Sequence, residues 1–322
     1  MVQFKRLWSP GVQGLSLSAL ELWLVDRVAF ECSYLRDLEP VEPWNKNMQY
    51  GSLIQAGIEG FIKTRQPRGA AKFIHIEFER QCAQYDDYDE MSWWTNLAQH
   101  EVDTWIDLYG KDLDTYGVTK SECQHKIELT LPSGRTMLLN GYIDGEGDDI
   151  IMENKCRGDW DVDSLAREID LNLQVNMYQL LFKATYGKLP SKIWYQHIRR
   201  PGGFAYSGPR KKAAESQDEY RLRLAQAIND NRDYHFYRYW IIPDEDRHQR
   251  FLFGCLYPML EAFLDWYTYM THPNRKDEVN KYHWMQPYGL YNPFTEGTQE
   301  RFRNFRLTGS TLGLRPKVNY PR

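Results

Sequence analysis

The chain has 322 residues, of which 42% are hydrophobic and 26% are charged, and its net charge is −4. These values are typical of a globular protein with a sizeable core and exclude a fibrous or intrinsically disordered chain. Because there is no overall excess of positive charge, any contact with nucleic acid must come from a local basic surface.

The cysteines and the apolar runs indicate the compartment. The five cysteines are widely spaced and form no CxxC pair, which argues against a zinc ribbon and against a disulfide framework. We expect reduced thiols and a cytoplasmic location. No apolar run reaches the length of a membrane span, so we expect neither a signal peptide nor a transmembrane helix.

Residues 1–120 are predicted to be mainly helical. Apolar residues recur at helical spacing in each segment, and Ser18 with Glu21 fits a capping box. A basic loop is expected at 64–72. The predicted helices cover residues 18–34, 48–63, 74–85 and 92–109.

Residues 121–200 change to an alternating pattern that predicts an antiparallel meander, then a helix and a further strand. Successive side chains of a strand point to opposite faces, so Glu153 and Lys155 share one face and Asn154 occupies the other. Asp144 ends the preceding strand. The predicted strands are 124–131, 135–144, 149–155 and 191–200, with the helix at 164–186.

Residues 201–322 form a C-terminal elaboration that we expect to belong, with the two preceding parts, to one compact domain. It begins with a basic loop at 201–214 and ends in a tail, residues 301–322, that has basic residues and no acidic one. Between them we predict a helix at 216–230, a strand at 234–242 and a helix at 243–271.

The hairpin carrying Asp144, Glu153 and Lys155 is the candidate site. Two carboxylates and the backbone carbonyl of Asn154 are hard oxygen ligands, which suit Mg²⁺ or Mn²⁺. Lys155 would place an ammonium beside the ion, where it can stabilise charge on a phosphate or help to position and deprotonate a water. A solvated strand and an ordinary acidic turn explain these three residues equally well.

Four sequence motifs that follow one another in order favour the metal site over a solvated strand or an ordinary turn. They are GSLIQAGIE at residues 51–59, GYIDG at 141–145, MENK at 152–155 and QVNMY at 174–178. Together they resemble the PD-(D/E)XK nuclease superfamily, in the branch that contains the RecB nuclease domain and phage exonucleases. The resemblance covers about residues 15–220. It implies an α/β (α+β) restriction-endonuclease-like core, in which a central mixed sheet is flanked by helices.

The resemblance also implies roles for residues outside the hairpin. Gln174 and Tyr178 would support the active site, and Gln55 and Glu59 would lie near the metal. Gln55 departs from the family, which usually has histidine there, so the number of metal ions is open. Many relatives hold an iron–sulfur cluster, but Asp26 lies near the expected first cysteine and residues 282–294 have no cysteine. We predict no cluster.

Basic residues after the fourth predicted strand are candidates for DNA binding through phosphates. Phe204 and Tyr206 lie among them and could stack on unpaired bases. The alternative is a solvated, flexible loop. The candidates are Arg199, Arg200, Arg210, Lys211 and Lys212.

The sequence therefore predicts a Mg²⁺-dependent deoxyribonuclease, more an exonuclease than an endonuclease, in recombination, replication or repair. Its partner would be DNA, as ends or single strands, and not a membrane. The resemblance allows an annealing protein, a helicase or further copies of the chain as protein partners. The alternative is a weak or inactive nuclease-like module that binds DNA, and Gln55 favours it.

Overall fold

A computed structural model describes residues 8–40, 46–85, 88–158, 172–200, 215–271 and 314–316. By its contacts the chain divides into two compact units. Unit 1 consists of Met1–Glu42, Lys126–Gly141 and Asp246–Arg322, and unit 2 of Pro43–His125 and Tyr142–Glu245. Unit 2 contains the candidate hairpin residues.

The described residues contain both helices and strands. The helices are α1 (Leu17–Val25), α2 (Arg27–Phe30), α3 (Lys46–Thr64), α4 (Pro67–Cys82), α5 (Tyr88–Thr115), α6 (Leu173–Tyr186), α7 (Gln217–Asp230), α8 (Arg232–His235), α9 (Glu245–Phe251) and α10 (Tyr257–Thr271). The strands are β1 (Leu15–Ser16), β2 (Leu38–Pro40), β3 (Val118–Thr130), β4 (Thr136–Gly147), β5 (Ile150–Arg157), β6 (Lys192–Arg199), β7 (Phe236–Ile241) and β8 (Leu314–Pro316). None of the helices in this part of the chain is long and apolar enough to cross a membrane.

Aromatic side chains build the interior of unit 1. The ring of Trp8 lies edge-on to Phe30 and to Phe263, with centroids 5.5 Å and 6.0 Å away. Arg135, the residue before β4, forms ion pairs with two acids of α10, Glu261 and Asp265. Edge-to-face aromatic contacts add about 0.5–1.5 kcal/mol each beyond the area that they bury, so this cluster helps to stabilise unit 1.

The central sheet is mixed, as the sequence predicts. Strands β1, β3, β4, β5, β6 and β7 form one six-stranded sheet. The β4–β5 hairpin is antiparallel and pairs Gly145 with Met152. Strand β6 runs parallel to β5, and the edge strand β7 runs antiparallel to β6. The parallel β5–β6 pair requires a crossover connection, which includes α6.

One face of the sheet in unit 2 is covered by α3 and α5, whose apolar residues join those of the strands in a single core. Gly57 makes this packing possible. A Cβ at this position would lie 2.8 Å from Ile74 Cδ1 and 2.8 Å from Val102 Cγ2, so α3 can approach α4 and α5 only because the side chain is absent.

The predicted helix bounds require four corrections. The N-cap of the first helix is Ser16, whose Oγ accepts a hydrogen bond from the Ala19 N–H at 3.2 Å, and not Ser18. Helix α4 begins at Pro67, inside the predicted loop, because proline is well suited to the first turn of a helix. The first predicted helix is interrupted at Asp26, whose carboxylate accepts hydrogen bonds from Val28 and Ala29 and caps α2. A π-helical turn at Leu252–Leu256 interrupts the last one.

Candidate active site

The β4–β5 hairpin brings Asp144, Glu153 and Lys155 together. The backbone N–H of Asn154 donates to Asp144 Oδ2 at 2.8 Å, which ties the carboxylate to the neighbouring strand. On the same strand, Lys155 Nζ lies 2.6 Å from Glu153 Oε1. The Glu153 carboxylate is 1% exposed, and the Lys155 ammonium forms an ion pair with it. This contact agrees with the prediction that Glu153 and Lys155 lie on the same face of the strand.

Glu153 makes the neighbouring Asp144 harder to ionise. Burial raises the pKa of Asp144 well above its usual value, and the charge of Glu153 raises it further. Burial also raises the pKa of Glu153, although the charge of Lys155 acts in the opposite direction. A pair of buried acids held this close is stabilised by a cation between or beside them.

Lys155 supplies one such positive charge from the protein itself. Burial alone would lower the pKa of this ammonium group, but the charges of Glu153 and Asp144 outweigh burial, and the pKa is raised. The side chain therefore remains charged at neutral pH. In this state it can donate hydrogen bonds and stabilise negative charge, and it cannot accept a proton.

The side chain of Gln55, on α3, contacts the side chain of Asn154, whose backbone N–H holds Asp144. Its Oε1 accepts a hydrogen bond from Asn154 Nδ2 at 3.4 Å, and its Nε2 donates to Glu122 Oε1 at 2.9 Å. Glu122, on β3, is a residue that the sequence analysis missed. Its charge reaches the site, since it contributes to the raised pKa values of Asp144 and Glu153. In the sequence it lies just before the predicted strand at 124–131, and no signal there distinguishes it.

Gln174 and Tyr178 also lie at the site. They are one turn apart on α6, and Gln174 Nε2 donates to the Tyr178 hydroxyl at 2.8 Å. Burial raises the pKa of Tyr178, and the charges of Glu153 and Asp144 raise it further, so the phenol lies within electrostatic range of both acids. The hydroxyl thus remains protonated and able to donate.

Glu59 is not brought to the acids. Its carboxylate forms an ion pair with Lys63, four residues further along α3, on the helix surface. An ion pair between residues four apart on a helix stabilises the helix by a few tenths of a kcal/mol, which is a sufficient role for Glu59. A role for Glu59 at a metal ion stays a prediction.

Of the basic candidates, only two fall within the described residues. Arg199 is buried, with its guanidinium 3.9 Å from the ring centre of Tyr234 and Nη1 donating to the Tyr234 hydroxyl at 2.8 Å. The half-buried Arg200 donates to Asn47. Burial and the contact with Tyr234 make Arg199 part of the packing, and a phosphate contact of this residue stays a prediction. Arg210, Lys211 and Lys212 lie outside the described residues, as do Phe204, Tyr206 and nearly all of the tail.

The donor set suits a hard divalent cation. Among the described residues, no group of three or more His, Cys, Asp or Glu side chains is arranged to hold a metal ion. Mg²⁺, however, needs only one or two carboxylates and keeps several of its waters. The Oδ1 of Asn154 is buried and accepts no hydrogen bond, and the Glu153 oxygens are buried beside the Lys155 ammonium and the Asp144 carboxyl. Buried acceptors of this kind are the ones that a cation or its bound water would satisfy.

Comparison with known proteins identifies the family of the chain. The chain matches the family model of the PD-(D/E)XK nuclease superfamily over residues 14–252. No curated protein matches it. The crystal structure of SSO0001 is similar at 13% identity over 68% of this chain and 86% of that chain, but its TM-score of 0.22 is too low for conclusions about the fold. The family model spans well over half of the sequence and every element of the hairpin site, and the chain belongs to the PD-(D/E)XK nuclease superfamily.

Proposed function

We propose that this protein is a Mg²⁺- or Mn²⁺-dependent deoxyribonuclease that hydrolyses phosphodiesters at the β4–β5 hairpin. The single observation that carries the proposal is the close pairing of two acids, Asp144 and Glu153, with the ammonium of Lys155. Membership of a nuclease superfamily makes phosphodiester hydrolysis the expected use of these groups.

Asp144 and Glu153 would hold the ion, and the backbone carbonyl of Asn154 and the side-chain oxygen of Gln55 are further candidate ligands. When bound, the ion would acidify a water and neutralise charge on the phosphate. Lys155, held by Glu153 and charged at neutral pH, would stabilise the negative charge that develops on the phosphate oxygens. It would also orient the attacking water by donating a hydrogen bond to it.

Residues of α6 complete the proposed site. Gln174 donates to the Tyr178 oxygen, so the phenol hydrogen is directed elsewhere, and the neighbouring acids keep the phenol protonated. Tyr178 would therefore act as a hydrogen-bond donor to a carboxylate or to the DNA backbone. Basic residues that precede α7 in the chain, Arg200 and Lys211 among them, would contact phosphates along the strand.

We further propose that the enzyme is an exonuclease of the RecB-like and phage-exonuclease branch. It would act on DNA ends or single strands in recombination, replication or repair. It would lack an iron–sulfur cluster. The four motifs between residues 51 and 178 support the branch. All five cysteines lie within the described residues and none of them forms a disulfide, which fits a reducing, cytoplasmic compartment. An annealing protein, a helicase or a homo-oligomer is the kind of partner that such an enzyme would have.

The proposal is tested with end-labelled DNA, both linear and circular, single and double stranded, in Mg²⁺, Mn²⁺ or EDTA. We expect the wild type to degrade linear DNA only in the presence of metal, and Glu153→Ala and Lys155→Ala to be inactive. Equal degradation by all three proteins would refute the site. Cleavage of circular DNA would refute the exonuclease assignment.

A second candidate is a DNA-binding module with little or no nuclease activity, which the presence of Gln55 in place of the family's histidine favours. In the same assay this candidate predicts salt-dependent DNA binding without degradation in any metal.

A further inference from the structure

The contact between Gln55 and Glu122 joins two elements that are far apart in sequence. Gln55 lies on α3 and Glu122 on β3, and the amide Nε2 donates to the carboxylate Oε1 at 2.9 Å. The backbone at Glu122 is left-handed, with φ +49°, which is uncommon for a residue that is not glycine. The strand thus departs from regular geometry at the residue that meets Gln55.

These partners fix the orientation of the Gln55 side chain. An ionised carboxylate only accepts hydrogen bonds, so the amide nitrogen of Gln55 must face Glu122. The amide oxygen must then face the opposite side, where Asn154 Nδ2 lies 3.4 Å away. Asn154 is also the residue whose backbone N–H holds Asp144. The oxygen of Gln55 is therefore directed towards the strand that carries the acids.

We propose that Glu122 is a positioning residue, which holds the oxygen of Gln55 ready to bind the divalent cation at Asp144 and Glu153. This inference rests on the proposed function. Carboxylates commonly play this part for metal-ligating histidines by accepting the second ring N–H, and Glu122 would do the same for the amide N–H of glutamine. Gln55 could then replace the family's histidine without loss of a ligand.

Binding of Mn²⁺ to the purified full-length protein, measured by isothermal titration calorimetry, tests the proposal without reference to activity. We expect Glu122→Asn to weaken Mn²⁺ binding by about 10-fold, the lower end of the effect of removing such a partner. Asparagine tolerates the left-handed backbone but is one methylene shorter, so it loses the contact while the fold is kept. Glu122→Gln retains an acceptor oxygen, and we expect it to bind Mn²⁺ within about 3-fold of the wild type.

A double-mutant cycle separates positioning from a direct or purely electrostatic role. If Glu122 acts through Gln55, Gln55→Ala should weaken binding as much as Glu122→Asn, and the double variant should be no weaker than either. Glu128→Ala, which removes an exposed acid of the same strand, is the matched control and should bind as the wild type does.

Four results would overturn the inference. These are unchanged binding by Glu122→Asn, additive losses in the double variant, a loss in Glu122→Gln as large as in Glu122→Asn, or an equal loss in Glu128→Ala. If the wild type itself neither binds Mn²⁺ nor cleaves DNA, the proposed function fails. If it does both and the Glu122 variants do not differ from it, only the inference fails.

Discussion

The backbone N–H of Asn154 donates to Asp144 Oδ2 at 2.8 Å, so the carboxylate of one strand is anchored to the next. This bond fixes Asp144 beside Glu153, although burial and the charge of Glu153 both raise the pKa of Asp144. The fold thus holds two acids in a place where ionisation of both is unfavourable. That arrangement costs stability unless a cation is bound.

Asp144→Asn should therefore stabilise the protein in EDTA while it abolishes cleavage. The amide oxygen can still accept the Asn154 N–H, and the unfavourable charge is removed. Because the pKa of Asp144 is raised in the folded state, the stability that the neutral carboxyl contributes is complete below the pKa of the unfolded chain and is lost as the pH rises through the folded-state pKa. An amide is neutral at every pH, so at neutral pH we expect a gain of about 1 kcal/mol or more. Urea unfolding in EDTA measures it. A loss of stability in the variant would show that an ionised Asp144 does not destabilise the folded state.

Lys155→Met should have the opposite effect on stability. It leaves the buried Glu153 without its ion-pair partner, which should cost about 3 kcal/mol in EDTA. Mg²⁺ should restore part of this loss, because the cation compensates the same charge. The exposed ion pair of Lys188 with Asp149 provides the control, since Lys188→Met should cost less than about 1 kcal/mol. If the two variants lose equal stability, with or without Mg²⁺, the account of Lys155 is wrong.

Features that follow from the local sequence pattern, such as the hairpin and the faces of its strands, could be predicted. Contacts between residues far apart in the sequence could not. Alternation placed Glu153 and Lys155 on one face, and turn residues located the hairpin. Arg199 looked like a surface cation after a strand, but the fold stacks it on Tyr234, which lies 35 residues further along the chain. Glu122 was missed for the same reason. Its partner Gln55 is 67 residues away, and its left-handed backbone follows no local signal.

Two glycines of α3 should respond oppositely to alanine. At Gly57 the new Cβ would lie 2.8 Å from Ile74 and Val102, so Gly57→Ala should destabilise the fold by about 1–3 kcal/mol. At Gly51 the nearest atom is Cys156 Cβ at 3.7 Å, an ordinary contact, and Gly51→Ala should stabilise the helix by up to about 1 kcal/mol. Chemical denaturation measures both. Equal effects would contradict the packing described for α3.

Glu101 should make stability depend on pH. Its buried carboxyl accepts a hydrogen bond from the Tyr50 hydroxyl at 2.5 Å, and burial raises the pKa of Glu101 from 4.5 to about 8. The folded protein keeps a proton that the unfolded chain releases in this range. The stability that the neutral carboxyl contributes is complete below about pH 4.5 and is lost as the pH rises through about 8, by up to about 1.4 kcal/mol per pH unit.

Glu101→Gln should remove this dependence, because glutamine is neutral at every pH and its oxygen can accept the same hydrogen bond. The measurement is the free energy of unfolding of both proteins in urea, from about pH 5 to about pH 9. We expect the variant to gain stability relative to the wild type as the pH rises. Parallel curves would show that Glu101 does not titrate in this range.

The most direct test of the central claim is the initial rate of hydrolysis of linear DNA by the wild type and by Glu153→Gln across a titration of Mg²⁺. The account predicts no hydrolysis in EDTA, a wild-type rate that rises to saturation with Mg²⁺, and a rate for Glu153→Gln that is lower by about 100-fold or more at every concentration. Hydrolysis in EDTA, or equal rates for the two proteins, would contradict it.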